Sequence, residues 1–101
     1  MATIHELIEK AEIESRDEKA KRYGLIVAIP GEVYTRSVSK HSVVYVEYVA
    51  GKWDAWRETH GSNKKQPIAY KEIARAQDIE FVFAKVCNYF DYLEKKRRGR
   101  K

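Results

Sequence analysis

The run Lys95-Lys96-Arg97-Arg98-Gly99-Arg100-Lys101 places six cations in seven residues. Its chemistry is electrostatic: such a strip draws in a polyanion by releasing counterions, largely without reading sequence. The whole chain has 20 Lys and Arg against 15 Asp and Glu, and without the run 14 cations face those 15 acids. Residues 1–94 are therefore almost neutral, and the basicity belongs to Lys95, Lys96, Arg97, Arg98, Arg100 and Lys101. If a helix continues into the run, its first four cations gain from the helix C-terminus. Lys64 and Lys65, in the polar stretch His60 to Pro67, form a second basic site for phosphates. Their spacing lacks the Gly-Lys-Ser or Gly-Lys-Thr end of a nucleotide-binding loop.

Trp53 and Trp56 stand three apart, so on a strand they point to opposite faces. One belongs to the core and the other is partly exposed. An exposed indole beside Lys52, Arg57 and the Lys64-Lys65 pair would stack unpaired bases, as single-strand binders do. Tyr34, Tyr45 and Tyr48 alternate like core and rim residues of a sheet.

Catalytic chemistry finds no constellation. His5, His41 and His60 lack paired ligand spacing, and the one cysteine, Cys87, cannot build a thiolate zinc site or an internal disulfide. Cys87 is expected as a buried thiol on the inner side of an apolar helix. Glu47, Asp54 and Glu58 are the strand acids at hand for a metal-dependent nuclease, without the nearby lysine that chemistry uses. The expectation is no catalytic residue, no metal and no cofactor.

The elements that must position these residues follow from periodicity. Thr3 and Glu6 have capping-box spacing, and Ile4, Leu7, Ile8 and Ala11 share a face, predicting a helix to about residue 15. Its flank is acidic: Glu6, Glu9, Glu12, Glu14, Asp17 and Glu18 against Lys10 and Arg16 within residues 1–18. Leu25 to Ile29 reads as a buried strand closed by Pro30-Gly31, and Glu32 to Ser39 as its partner. Val43 to Val49 is the firmest strand, and Ala50-Gly51-Lys52 turns it into Trp53 to Thr59. Ile79, Val82, Phe83, Val86, Phe90 and Leu93 recur at helical spacing behind Asp78 as N-cap, which puts Val86 and Phe90 in the core.

Tyr70, Ile73, Ala74 and Gln77 predict a shorter helix before that one. Tyr70-Lys71-Glu72-Ile73-Ala74-Arg75-Ala76 resembles the first helix of helix-turn-helix motifs, which often carry a Glu-Ile-Ala core. The resemblance implies that the second helix enters a major groove and offers Lys85 and Asn88 to base edges. The motif's usual turn glycine is absent, and Glu80, Asp91 and Glu94 on the groove side repel phosphates. The alternative is a helix or helix pair packed on the sheet.

The expected fold is α+β: an N-terminal helix, a three- to four-stranded antiparallel sheet, and a C-terminal helix or helix pair on it. Residues 1–94 would form one compact domain and residues 95–101 a basic tail. The expected function is non-enzymatic nucleic-acid binding, DNA or RNA, with the tail and the Lys64-Lys65 loop on phosphates. The alternative is a small protein-binding inhibitor or adaptor, of the mobile-element or phage type, acting on a nucleic-acid-handling complex. The N-terminus does not read as a secretory signal, and the longest apolar run is too short for a bilayer. A membrane partner is not expected, and a cytoplasmic, intracellular location is.

Overall fold

In a computed structural model, which describes residues 3–61 and 67–98, Thr3 starts the first helix, α1 (Ile4–Arg22). The Thr3 hydroxyl accepts from the Glu6 N–H at 3.1 Å, and the Glu6 carboxylate accepts from the Thr3 N–H at 3.3 Å, closing the capping box. The helix runs well past residue 15 and stops at Gly24, whose φ is +83°. There the Leu25 N–H donates to the Ala20 carbonyl and the Gly24 N–H to that of Lys21, both at 3.0 Å. These are the two bonds of a Schellman motif. A Cβ on Gly24 would lie 2.5 Å from an Arg36 guanidinium nitrogen, so the glycine also makes room for that arginine.

Five strands follow: β1 (Ile26–Ile29), β2 (Val33–Ser39), β3 (Ser42–Val49), β4 (Lys52–His60) and β5 (Pro67–Ala76). Each pairs antiparallel with the next, in the order β1-β2-β3-β4-β5. The last element is α2 (Ile79–Arg98), with the Asp78 carboxylate accepting from the Glu80 N–H at 3.0 Å. The class is α+β, with five strands where three or four were expected. Among the described residues no helix is long and apolar enough to cross a membrane.

The extra strand is β5, and it corrects the helical reading of Tyr70 to Gln77. The β4–β5 register passes from Ala55↔Ala74 to Trp56↔Glu72, leaving Ile73 as an unpaired bulge residue. A bulge breaks the two-residue alternation, so Ile73 and Ala74 both pack against the core. Two neighbouring apolar residues then follow Tyr70 at intervals of three and four, which imitates a helix face. With residues 70–76 in a strand, residues 70–93 do not form a helix-turn-helix. His60 likewise belongs to β4 and Pro67 to β5, so the polar connection is shorter than expected.

Alternation also decides which side of the sheet is covered. Tyr34, Val44, Val46, Trp53 and Ala55 point to one face and are buried there with Val82, Phe83 and Val86 of α2. Ala20 and Leu25 complete this core. β1 is not the buried strand expected. It is an edge strand paired only with β2, and Ile26 and Ile29 remain 67% and 48% exposed. Phe90 and Cys87 are half-buried rather than core, with Phe90 packed against the core's margin.

Besides the buried Ala20 and an ion pair from Lys19 to Glu80 of α2, α1 is tied to one turn of the sheet. Pro30 and Gly31 (φ +71°) form the centre of a type II turn closed by the Glu32 N–H on the Ile29 carbonyl at 3.0 Å. Asp17 Oδ1 accepts from the Gly31 N–H at 2.8 Å and from the Tyr34 hydroxyl at 2.7 Å. Arg16 donates to the Gly31 carbonyl at 3.0 Å and lies over Trp53, 5.2 Å from its ring centroid. Closer to the start of α1, Ile4, Leu7 and Ile8 are more than half exposed.

Asp17→Ala should therefore cost about 2–3 kcal/mol, because it strands a buried hydroxyl and a backbone donor together. Asp17→Asn keeps one acceptor oxygen and should cost less; urea unfolding of both variants checks this. Burial, then the Asp17 carboxylate, raise the Tyr34 phenol well above its usual 10.0. The folded chain thus keeps a proton that the unfolded chain releases near that pH. The resulting stability is complete below pH 10 and declines as pH climbs beyond it. Tyr34→Phe should flatten that decline in urea midpoints measured between pH 9 and 11.

Candidate nucleic-acid interface

Packing of Val82, Phe83 and Val86 onto the sheet fixes where the rest of α2 must lie. Its C-terminal half continues over the same face, flanked by β2 on one side and by β4 and β5 on the other. The helix reaches Arg98, so Lys95, Lys96, Arg97 and Arg98 are helical and occupy its last turn, where the carbonyl ends favour cations.

On the β2 side lies a cleft of about 470 Å³ lined by Arg22 from the end of α1, Arg36 from β2, and Arg97 and Arg98 from α2. Each of the last three is held by a neighbour. The Arg36 guanidinium sits 4.5 Å from the Phe90 ring centroid, a cation–π contact. Arg97 donates to the Val38 carbonyl at 3.2 Å, and Arg98 to Glu94 at 2.8 Å. Asp91 and Glu94 also line the cleft, leaving arginine in excess. Planar guanidinium groups presented together match phosphate oxygens, which accept two N–H bonds from one fork.

On the other side a smaller cleft, about 230 Å³, gathers Arg57, Lys71 and Lys96 with Tyr89 and Tyr92. Arg57 donates to the Tyr89 hydroxyl at 2.8 Å and to the buried Ser42 hydroxyl at 3.1 Å. Ser42 in turn shares a 2.8 Å hydrogen bond with Thr59. The Lys71 ammonium lies 5.3 Å from the Tyr89 ring centroid. The basic end of α2 thus has cationic neighbours on both flanks.

Of the residues singled out from sequence, Lys96, Arg97, Arg98 and Arg57 come together here, and Lys95 stands exposed on the same turn. Lys85 and Asn88 are exposed on α2, but without a helix-turn-helix nothing directs them to a groove. Trp53 is 5% exposed and cannot stack a base. Trp56 is half-buried on the opposite face of the sheet, where its ring N–H donates to Glu58 at 3.1 Å. Lys64, Lys65, Arg100 and Lys101 lie outside the described residues.

Arg22, Arg36 and Lys71 were missed. A signal existed for Arg36: it alternates with Tyr34 and Val38, so it must point to the helix-covered face. Its meeting with Arg97 depended on the placement of α2 over β2, which no local pattern states. Among the described residues, no three His, Cys, Asp or Glu side chains gather to hold a metal ion.

Arg57 is a structural tie as well as a cation. Arg57→Ala should lower stability by about 1–3 kcal/mol through loss of its bonds to Ser42 and Tyr89. Arg36 makes no hydrogen bond among the described residues, so Arg36→Ala should leave the thermal midpoint within a few degrees. Thermal unfolding of the two variants side by side tests the distinction.

No family model, no curated protein and no solved structure matches this chain, so its function is read from its own residues.

Proposed function

We propose that the chain is a non-enzymatic binding protein for the phosphate backbone of nucleic acid. The contact surface is the C-terminal half of α2, the basic run that follows it, and Arg22 and Arg36 beside it. One observation carries this reading. Two arginines remote in sequence share a cleft with Arg97 and Arg98, so the basic run extends into a surface built by the fold. Its arginines lie against an aromatic ring and a backbone carbonyl, which lowers the entropy lost on gripping a phosphate. The mode is sequence-independent, since these groups address phosphates and not base edges.

A second reading, a small protein-binding inhibitor or adaptor acting on a nucleic-acid-handling complex, draws on another feature. Ile4, Leu7 and Ile8 form an exposed apolar stripe on a helix whose flank is acidic. Such a stripe fits a protein surface better than a phosphate backbone.

Fluorescence anisotropy against duplex DNA, single-stranded DNA and RNA, each at two salt concentrations, tests the first reading. If about four phosphates are neutralised, log affinity for duplex should fall against log salt with a slope near −3.6. Arg36→Ala and Arg97→Ala should each reduce that slope by about 1 and weaken all sequences alike. Unchanged affinity and slope in both variants would hand the assignment to the protein-binding reading.

A further inference from the structure

The sheet face turned away from both helices has its own chemistry. Tyr45 on β3, Trp56 on β4 and Tyr70 on β5 form a row of rings across three strands. Tyr45 and Trp56 are stacked at 5.4 Å between centroids, and Trp56 and Tyr70 at 6.2 Å. Strand register places carboxylates around this row: Asp54 and Glu58 flank Trp56 along β4, Glu72 pairs with it on β5, and Glu47 pairs with Asp54. Of the basic groups on this face, Lys52 and Arg75 lie toward the Ala50-Gly51 turn, and His60 Nε2 lies 3.4 Å from Glu58 Oε2 at the far end of β4. Asp54, which pairs with Arg75 across the β4–β5 register, has an Oδ1 that is shielded from solvent and accepts no hydrogen bond among the described residues. The same carboxylates act on Tyr70, whose phenol is raised by desolvation first and then by Asp54, Glu72 and Glu58.

We propose that this face binds an arginine-rich segment of a protein partner, with guanidinium groups stacked on the Tyr45–Trp56–Tyr70 row and paired with Glu58 and Glu72. Three properties of the face select this occupant. Aromatic faces attract cations, and a planar guanidinium both stacks on indole and forks onto a carboxylate. Elsewhere the chain fills such positions itself: Arg16 lies over Trp53, Arg36 over Phe90, Lys71 over Tyr89 and Lys85 over Phe81. No described cation lies over the three-ring row, although it is the one ringed by carboxylates. The other occupants meet repulsion. Nucleic acid would set phosphates against Asp54, Glu58 and Glu72, and a second copy packed face to face would double the same carboxylates. This proposal does not rest on phosphate binding, which uses the opposite side of the molecule.

A fluorescein-labelled nona-arginine peptide, titrated into the full-length protein, provides the test, with nona-lysine of equal charge beside it. The arginine peptide should bind more tightly than the lysine peptide, because stacking adds to charge. Glu58→Gln with Glu72→Gln should weaken it about tenfold, and Trp56→Leu should erase most of its advantage over nona-lysine. Amide NMR shifts should fall on residues 45–47, 54–58 and 70–72. Arg36→Ala with Arg97→Ala should leave peptide affinity unchanged, which separates this site from the phosphate surface. Circular dichroism establishes that each variant is folded; should Trp56→Leu fail there, the charge variant and the shift map decide. Shifts confined to Glu6–Glu14 of α1, unchanged affinity in the charge variant, or a single-stranded oligonucleotide perturbing Trp56 would overturn the proposal.

Discussion

Everything in this molecule hangs on one seam, the burial of Val82, Phe83 and Val86 against the inward residues of β2, β3, β4 and β5. A twisted sheet of five strands has two faces to satisfy, and α2 covers one of them. Because these three side chains lie in the helix's first two turns, the remaining turns are carried along the sheet as a rigid arm. The position of the basic run is therefore a consequence of hydrophobic packing nearly three turns upstream. Were the seam to slip by one helical turn, about 5.4 Å, Arg97 would lose Val38 and the arginine cleft would come apart.

One-sided coverage also sorts charge by layer. Strand alternation sends Arg36, Arg57 and Lys71 to the helix side and Asp54, Glu58 and Glu72 to the bare side. A nearly neutral sheet thereby acquires two unlike surfaces. On the helix side the cations lie over or between aromatic rings. On the bare side the rings are edged with carboxylates. α1 follows the same logic along its length: its acids run from Glu6 to Glu18, while Lys19, Lys21 and Arg22 fill the last turn, where Arg22 joins the basic cleft.

Local chemistry made much of this legible in the residues. Thr3 with Glu6, Pro30-Gly31, Ala50-Gly51 and Asp78 marked element ends, because a cap or a tight turn depends on the few residues that form it. The opposed fates of Trp53 and Trp56 followed from strand alternation alone. β5 was hidden, since the bulge at Ile73 erased the alternation that announces a strand. The extra length of α1 was hidden as well: its second half is charged, and its anchoring through Asp17 is a contact with a turn fourteen residues on. Of the basic surface, Arg97 and Arg98 were visible as a charge run, whereas Arg22 and Arg36 join it only through tertiary placement.

The order β1-β2-β3-β4-β5 has a bearing on how the chain is made. Each strand after β1 pairs with the strand synthesised just before it, so the sheet can zip in the direction of translation, and short-range pairing of this kind favours rapid folding. The helix that shields the inner face emerges after all five strands. In the interval Tyr34, Val44, Val46 and Ala55 lack the cover of α2, and a sheet in that state readily meets another. Slowing synthesis between residues 76 and 98 would lengthen this window, raising the yield of aggregates without altering one contact in the finished protein.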